Sequence, residues 1–320
     1  MCSGAGEAIP QSEFALIHWI RNQAPGNARV ALGIGDDCAI VRFPPGALVL
    51  ATTDMLMDGR HFQLESDGAE AVGYKALAVN LSDIAAMAGL PVAALVSVAL
   101  PRAEAVRVAQ GILAGMKPLA EQFGVALVGG DTNAWDGPLV VSVTLLGEPT
   151  PPGPVRRSGA RAGDAILITG PIGGSLLGRH LRPKPRVREA QALQRAAAIH
   201  AMIDLSDGLA SDLGHILEES GNLGAVLDAS AIPIHADAVE QSRRDGRPAL
   251  EHALQDGEDF ELCFVLANDD AARLLLSPPE GVSLYRVGEV SASQGLLLRQ
   301  DSGQLEAIAA LGFDHLRAGN

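Results

Sequence analysis

Asp36 with Asp37, Asp54, Asp83, Asp131, and Asp204 with Asp207 each fall at or near the end of an apolar segment, among small residues. A carboxylate there loses hydration and stays ionised only where a cation meets it. Helix capping accounts for any one of them about as well as a metal does. Repeated along a chain whose only lysines are Lys75, Lys117 and Lys184, capping is the weaker account. Convergent carboxylates suit a hard cation, and Mg2+ is the ion expected where phosphates also bind. The chemistry implied is a metal-rich, lysine-poor phosphate site.

Other phosphate and hydrolase signatures are missing. Gly33-Ile34-Gly35-Asp36-Asp37 opens like a dinucleotide fingerprint, but Cys38 stands where the third glycine belongs. No lysine follows a glycine, which excludes a P-loop, and no H-R-D or D-F-G set supports a protein-kinase site. The eight histidines include no H-E-x-x-H pair, and no G-x-S-x-G elbow occurs.

The elements that must position these residues are short. Leu48–Asp54, Ala126–Asp131, Leu139–Leu146, Ala165–Thr169 and Ala201–Asp204 read as strands. Ala69–Met87 has helical spacing through Val72, Leu77, Leu81 and Ile84, and Leu209, Leu213, Ile216 and Leu217 mark a second helix that Gly221 ends. Ile84–Leu100 reads as a helix end, a turn at Gly89-Leu90-Pro91 and a buried strand. Strands alternate with helices, so the fold class is α/β or α+β in two domains. Glu148-Pro149-Thr150-Pro151-Pro152-Gly153-Pro154 cannot continue a helix or a central strand. The expected domains are therefore 1–150 and 151–320.

The 320 residues are 48% hydrophobic, 19% charged and 3% aromatic, with a net charge of −14. That composition excludes intrinsic disorder, and the charge disfavours nucleic acid and anionic membranes. Cys2, Cys38 and Cys263 form no C-x-x-C pair, and the N-terminus carries no secretory pattern, so a reducing cytoplasm is expected. No apolar run reaches the ~20 residues that a membrane span needs.

Taken together, several motifs resemble the thiamine-monophosphate kinase family, of the aminoimidazole-ribonucleotide-synthetase-like superfamily. They are Gly33–Ala39, Thr53–Leu56, Gly59–Phe62, Lys75–Asp83, Gly129–Thr132, Arg157–Ala160, Ile203–Leu209 and Gly257–Leu262. Order and spacing agree from about Glu13 to His315. The resemblance implies ATP-dependent phosphorylation of thiamine monophosphate by a homodimer whose N-terminal sheets pair into a barrel, each chain adding a C-terminal α/β domain that completes the site. Carried over by motif, Asp37, Thr52, Thr53, Asp54, Asp83, Asp131, Asp204 and Asp207 would hold several Mg2+ ions. Gly130, Asp131, Arg157 and Ser206 would contact ATP, and His61, Glu258 and Phe313 the thiamine moiety.

Departures fall at Thr52, where the family often has serine, at Asn133–Asp136 and at Gln255-Asp256. Outside the motif, His61 reads as a surface histidine, Arg156-Arg157 as a solvated pair, Glu258-Asp259 as an exposed cap and Phe313 as C-terminal packing.

The chemistry explains the residue types. A phosphate monoester, with a second pKa of about 6, is already a nucleophile and needs no general base. The difficulty is repulsion, about 4 kcal/mol per unit-charge pair at ~4 Å and an effective dielectric of ~20, which metal ions relieve. The alternatives are another ATP-dependent superfamily member and a non-catalytic nucleotide-binding regulator. Selenophosphate synthesis would need a lysine near Cys2, and the hydrogenase-maturation relative a C-terminal cysteine; neither is present.

Overall fold

A computed structural model describes residues 13–309. The described residues divide into two compact units, one formed by 13–80 and 91–148, the other by 81–90 and 149–309.

In the first unit, helix α1 (Glu13–Gln23) precedes a hairpin of β1 (Val30–Leu32) and β2 (Ile40–Val41). Four longer strands follow: β3 (Leu50–Met57), β4 (Gly89–Pro101), β5 (Ala126–Trp135) and β6 (Val140–Pro149). They form one sheet in the order β3-β6-β4-β5. Strands β4 and β5 run parallel, joined through α3 (Ala105–Phe123), while β3 and β6 are antiparallel. Val30, Ala39, Val41 and Phe43 of the hairpin region pack on Val92, Ala93, Ala126 and Val128 of the sheet. Helix α3 buries Val108, Ile112, Met116 and Leu119, the period-3.6 stripe of a core helix.

Helix α2 (Leu64–Ala86) breaks its own regularity at Gly68, where φ is 79° and ψ 151°. Its next turns lie against α3 with backbone on backbone. A Cβ on Gly73 would stand 2.1 Å from the Ile112 carbonyl oxygen, and one on Gly115 would stand 1.9 Å from that of Glu70.

The second unit carries a seven-stranded sheet. Its strands are β7 (Ala165–Ile168), β8 (Ala201–Asp204), β9 (Gly224–Asp228), β10 (Leu262–Leu266), β11 (Tyr285–Ser291), β12 (Gly295–Arg299) and β13 (Leu305–Ile308). Their order is β13-β12-β9-β11-β7-β10-β8, and only β12–β9 is parallel. Five helices accompany it: α4 (Val187–Ala196), α5 (Leu209–Glu219), α6 (Ala236–Asp245), α7 (Ala249–Gln255) and α8 (Asn268–Leu276). Leu209, Leu213, Ile216 and Leu217 of α5 join Ile166, Ile168, Ile203, Val265 and Val287 in one core. Strands β7 and β10 are buried along their length, which explains their unbroken apolar sequence.

One local expectation changes, and one grouping in space differs from the order along the chain. The turn read at Gly89-Leu90-Pro91 sits at Met87-Ala88, and Gly89 through Pro91 already belong to β4. Residues 81–90, placed with the N-terminal half by the linker argument, cluster with the second unit. Val155 N–H bonds Met87 O, Gln191 bonds Gly89 O, and Thr150 bonds Ala88 O. Sequence adjacency did not reveal those long-range bonds.

Alanine forms helices better than glycine by about 1 kcal/mol, so local propensity alone expects Gly115→Ala to stabilise. The contact with Glu70 reverses the sign, and we expect a loss of about 2–3 kcal/mol in urea unfolding. A stabilised variant would mean that α2 and α3 do not approach this closely.

Candidate functional site

In the first unit, Gly33–Ala39 folds as a loop beside β5. Asp37, Gly130 and Asp131 line one cavity of about 540 Å³, with Ile34, Leu95, Ile112, Met116 and Leu127 among its apolar walls. The register of β4 on β5 slips between Ala94 and Leu95, so an extra residue bulges from β5 just before Gly129. The bulge re-aims the chain that carries Gly130 and Asp131. Only glycine fits at 130: φ is 149°, and a Cβ would stand 1.7 Å from Val96 O. Asn133, one of the departures, donates to Asp131 Oδ2 at 2.9 Å and so orients that carboxylate.

Thr52, Thr53 and Asp54 lie on β3 at the opposite edge of the same sheet, with β6 and β4 between them and Asp131. Three strand spacings put the two groups roughly 14 Å apart. Within one sheet these residues cannot share an ion with Asp131. The Thr53 hydroxyl donates to Val143 O and accepts from Thr144, both at 3.1 Å. His61 closes a turn in which Met57 N–H donates to its Nδ1 at 3.0 Å.

In the second unit, three of the expected aspartates come together. Ser82 Oγ donates to Asp204 Oδ2 at 2.6 Å, and Asp204, at the end of β8, is 3% exposed. Burial, then the charge of Asp83, pushes Asp204 up to about 7, against the pull of Ser82 and Arg157. Asp212, which the sequence reading missed, lies beside them. Its Oδ2 accepts from the N–H groups of Asp207 and Gly208 at 3.0 and 3.1 Å, which caps the start of α5. Burial first, then Asp204 and Asp207, hold Asp212 well above the usual carboxylate range. Donor atoms of Asp207, Asp212 and His215 lie within 4.8 Å of one another. An aspartate in the first turn of a helix, five residues after Asp207, was the available signal.

Gly257–Glu261 runs against Leu205-Ser206. Glu258 N–H donates to Ser206 O at 2.7 Å, Phe260 N–H to Leu205 O at 2.8 Å, and Leu205 N–H to Glu261 O at 2.8 Å. Glu258 and Phe260 have φ of 51° and 53°, a strained conformation that neighbouring contacts must enforce. Those contacts come from further acidic residues. Asp259 takes the Gly173 N–H on both oxygens at 2.9 Å and Arg179 Nη2 at 2.9 Å, while burial pushes it up to about 7. Glu261 accepts from Thr169 at 2.6 Å and from Arg186 in a two-pronged pair through Nε and Nη2, one edge of the guanidinium. Asp256, part of the third departure, accepts from Gly174 N–H and pairs with His252. Glu258-Asp259 is thus not an exposed cap, since Asp259 is buried. Phe313 lies outside the described residues.

Residues 35–148 match the N-terminal domain of the family described as AIR synthase related protein, and residues 161–299 match its C-terminal domain. A thiamine-monophosphate kinase from Rhodopirellula baltica is 41% identical over 95% of this chain and 97% of its own length. The crystal structure of thiamine-monophosphate kinase from Stenotrophomonas maltophilia is 36% identical, covers 92% of this chain and 98% of that one, and superposes with a TM-score of 0.77. AaThiL, solved in complex with AMPPCP and TMP, is 29% identical over 98% of this chain and 100% of that one, with a TM-score of 0.73. These matches extend over more than nine-tenths of the chain and share its two-domain mixed α/β fold, and the chain belongs to the thiamine-monophosphate kinase family.

Proposed function

We propose that this chain transfers the γ-phosphoryl group of ATP to the phosphate of thiamine monophosphate, giving thiamine diphosphate. The observation that carries the reading is the set Asp83, Asp204, Asp207 and Asp212. Burial and mutual repulsion raise Asp204 and Asp212, the electrostatic condition that a bound dication relieves. Carboxylate oxygens suit Mg2+, and in the first unit Asp37, Asp131 and Asp54 with Thr52 and Thr53 offer donors of the same kind. Bound Mg2+ supplies charge neutralisation for two polyanions and aligns their oxygens.

The protein's own groups do the rest. Arg157, Ser206 and the Cβ-free backbone at Gly130 contact ATP. Glu258 is held at its strained φ beside Ser206, where its carboxylate accepts hydrogen bonds from the aminopyrimidine, and His61 contacts the thiamine moiety. No residue acts as a base, because the acceptor oxygen is already ionised.

An assay of ADP release with and without thiamine monophosphate, with the product weighed by mass spectrometry, tests the reading. ADP formation indifferent to thiamine monophosphate would sink it. In that assay Asp131→Asn should lower kcat by roughly tenfold or more and raise the magnesium requirement. Added Mg2+ should recover part of the activity, and higher pH none. Rescue by pH with indifference to Mg2+ would make Asp131 a general base.

The charge cluster also has a stability signature. In chelator-treated protein the native Asp204 carboxyl keeps its proton up to about pH 7, whereas the unfolded chain loses it at about 4. The native state binds the extra proton in that window, so stability falls as pH rises through it. Asp204→Asn should flatten the slope and raise the metal-free Tm at pH 8 by about 3 °C or more. It should also shrink the further rise that Mg2+ gives the wild type. A less stable metal-free variant at pH 8 would contradict charge repulsion at this position.

A homodimer in which two such sheets close a barrel completes the reading. Met55 and Met57 of edge strand β3 are 58% and 41% exposed, and Leu48 and Val49 just before it 65% and 47%, an apolar edge that a second copy would cover. Closure would also bring β3 of one copy toward β5 of the other, where Asp54 and Asp131 could meet. The double variant Met55→Glu/Met57→Glu should sediment as a monomer; an unchanged dimer would place the interface elsewhere. A reducing cytoplasm suits the exposed Cys38 thiol, and among the described residues no helix is long and apolar enough to cross a membrane.

A further inference from the structure

Lys75 is fully buried in the first unit, an unusual position for a lysine. Its Nζ donates to the backbone carbonyl of His61 at 2.7 Å. The reach is unexpected from sequence. If α2 ran straight from Leu64, eleven residues at ~1.5 Å each would carry Lys75 roughly 16 Å away from the turn that ends at Phe62. The break at Gly68 interrupts that straight run, because φ 79° and ψ 151° are not helical and kink α2 there. Nothing stands within 4 Å of a Cβ added at Gly68, so it is the backbone angle that requires glycine there.

His61 is held from a second side. Its own N–H donates to Met57 O at 3.0 Å, and Met57 N–H donates to its Nδ1 at 3.0 Å. A ring nitrogen that accepts an N–H bond carries a lone pair, so the proton of the imidazole is on Nε2. Protonating Nδ1 would set N–H against N–H and break the turn.

We propose that Lys75 and the Met57 amide form a clamp that fixes His61 as the neutral Nε2–H tautomer, and that Lys75 is thereby a positioning residue for the acceptor. The proposal rests on the reading of His61 as an acceptor contact. Thiamine monophosphate carries a permanently cationic thiazolium. An imidazolium would repel it, whereas an uncharged ring can present its π face. The clamp thus selects for a cationic heterocycle by keeping a titratable neighbour neutral.

The test uses the full chain labelled with 15N at histidine, His61 being assigned by its loss in His61→Asn. The expected spectrum at neutral pH has an unprotonated shift at Nδ1 and a protonated shift at Nε2. Lys75→Met, close in volume and apolar, should average the two tautomers. It should raise KM for thiamine monophosphate about tenfold, the equivalent of one lost hydrogen bond, and leave KM for ATP within about twofold. Gly68→Ala, which disturbs the same clamp from a solvent-open position, should move both readouts in the same direction and serves if Lys75→Met does not fold. A wild-type His61 protonated on Nδ1 would overturn the clamp, as would equal losses for both substrates. A tautomer that shifts in Lys75→Met with KM unchanged would instead overturn the acceptor role of His61 and leave the clamp standing.

Discussion

A carboxylate removed from water must find a proton, a cation or a set of hydrogen-bond donors, and this chain buries several of them close together. The second unit uses every solution. Glu261 has Arg186 and Thr169, and Asp259 has Arg179 and the Gly173 amide. Burial raises Asp204, Asp212 and Asp259 alike, but around Asp204 and Asp212 acidic neighbours add to the rise, whereas Arg179 opposes it at Asp259. The first group braces the fold, and the second is the one proposed to meet a cation.

The structural carboxylates serve the others. Gly257 through Phe260 lies along Leu205-Ser206 with positive φ at three positions, and such backbone persists only where its surroundings enforce it. The amides of Gly173 and Gly174, the Ser175 hydroxyl on Gly257 O, and Arg179 supply that enforcement. Rigid support of this kind keeps Glu258 and Ser206 in fixed relation, the preorganisation that phosphoryl transfer relies on.

The first unit solves a different problem by close approach. Glycines at 73 and 115 let α2 and α3 meet on their backbones, Gly130 lets β5 press on β4, and the bulge beside it directs Asp131. Each is a place where a side chain would fill space that the site's geometry needs empty. Gly68 is a different case, required by its backbone angle and not by space, and its kink lies between His61 and the lysine that bonds it.

Much of this was legible in the residues. Apolar runs ended by small and acidic residues gave the strands, the helical spacing of Val72, Leu77 and Leu81 gave α2, and the proline run marked the passage between the units. The aspartates' placement carries the hard-cation proposal, because local sequence records burial and charge together. Three-dimensional decisions were not legible. Sequence could not tell that Asp212 joins Asp204, that Asp54 and Asp131 stand on opposite edges of one sheet, or that residues 81–90 cluster with the second unit. Nor could it tell that Lys75 reaches back to His61. The physical reason is common to all four. Strand order, a bulge and a helix break depend on contacts between residues far apart in the chain, and periodicity records only which face of an element is buried, not what it is buried against.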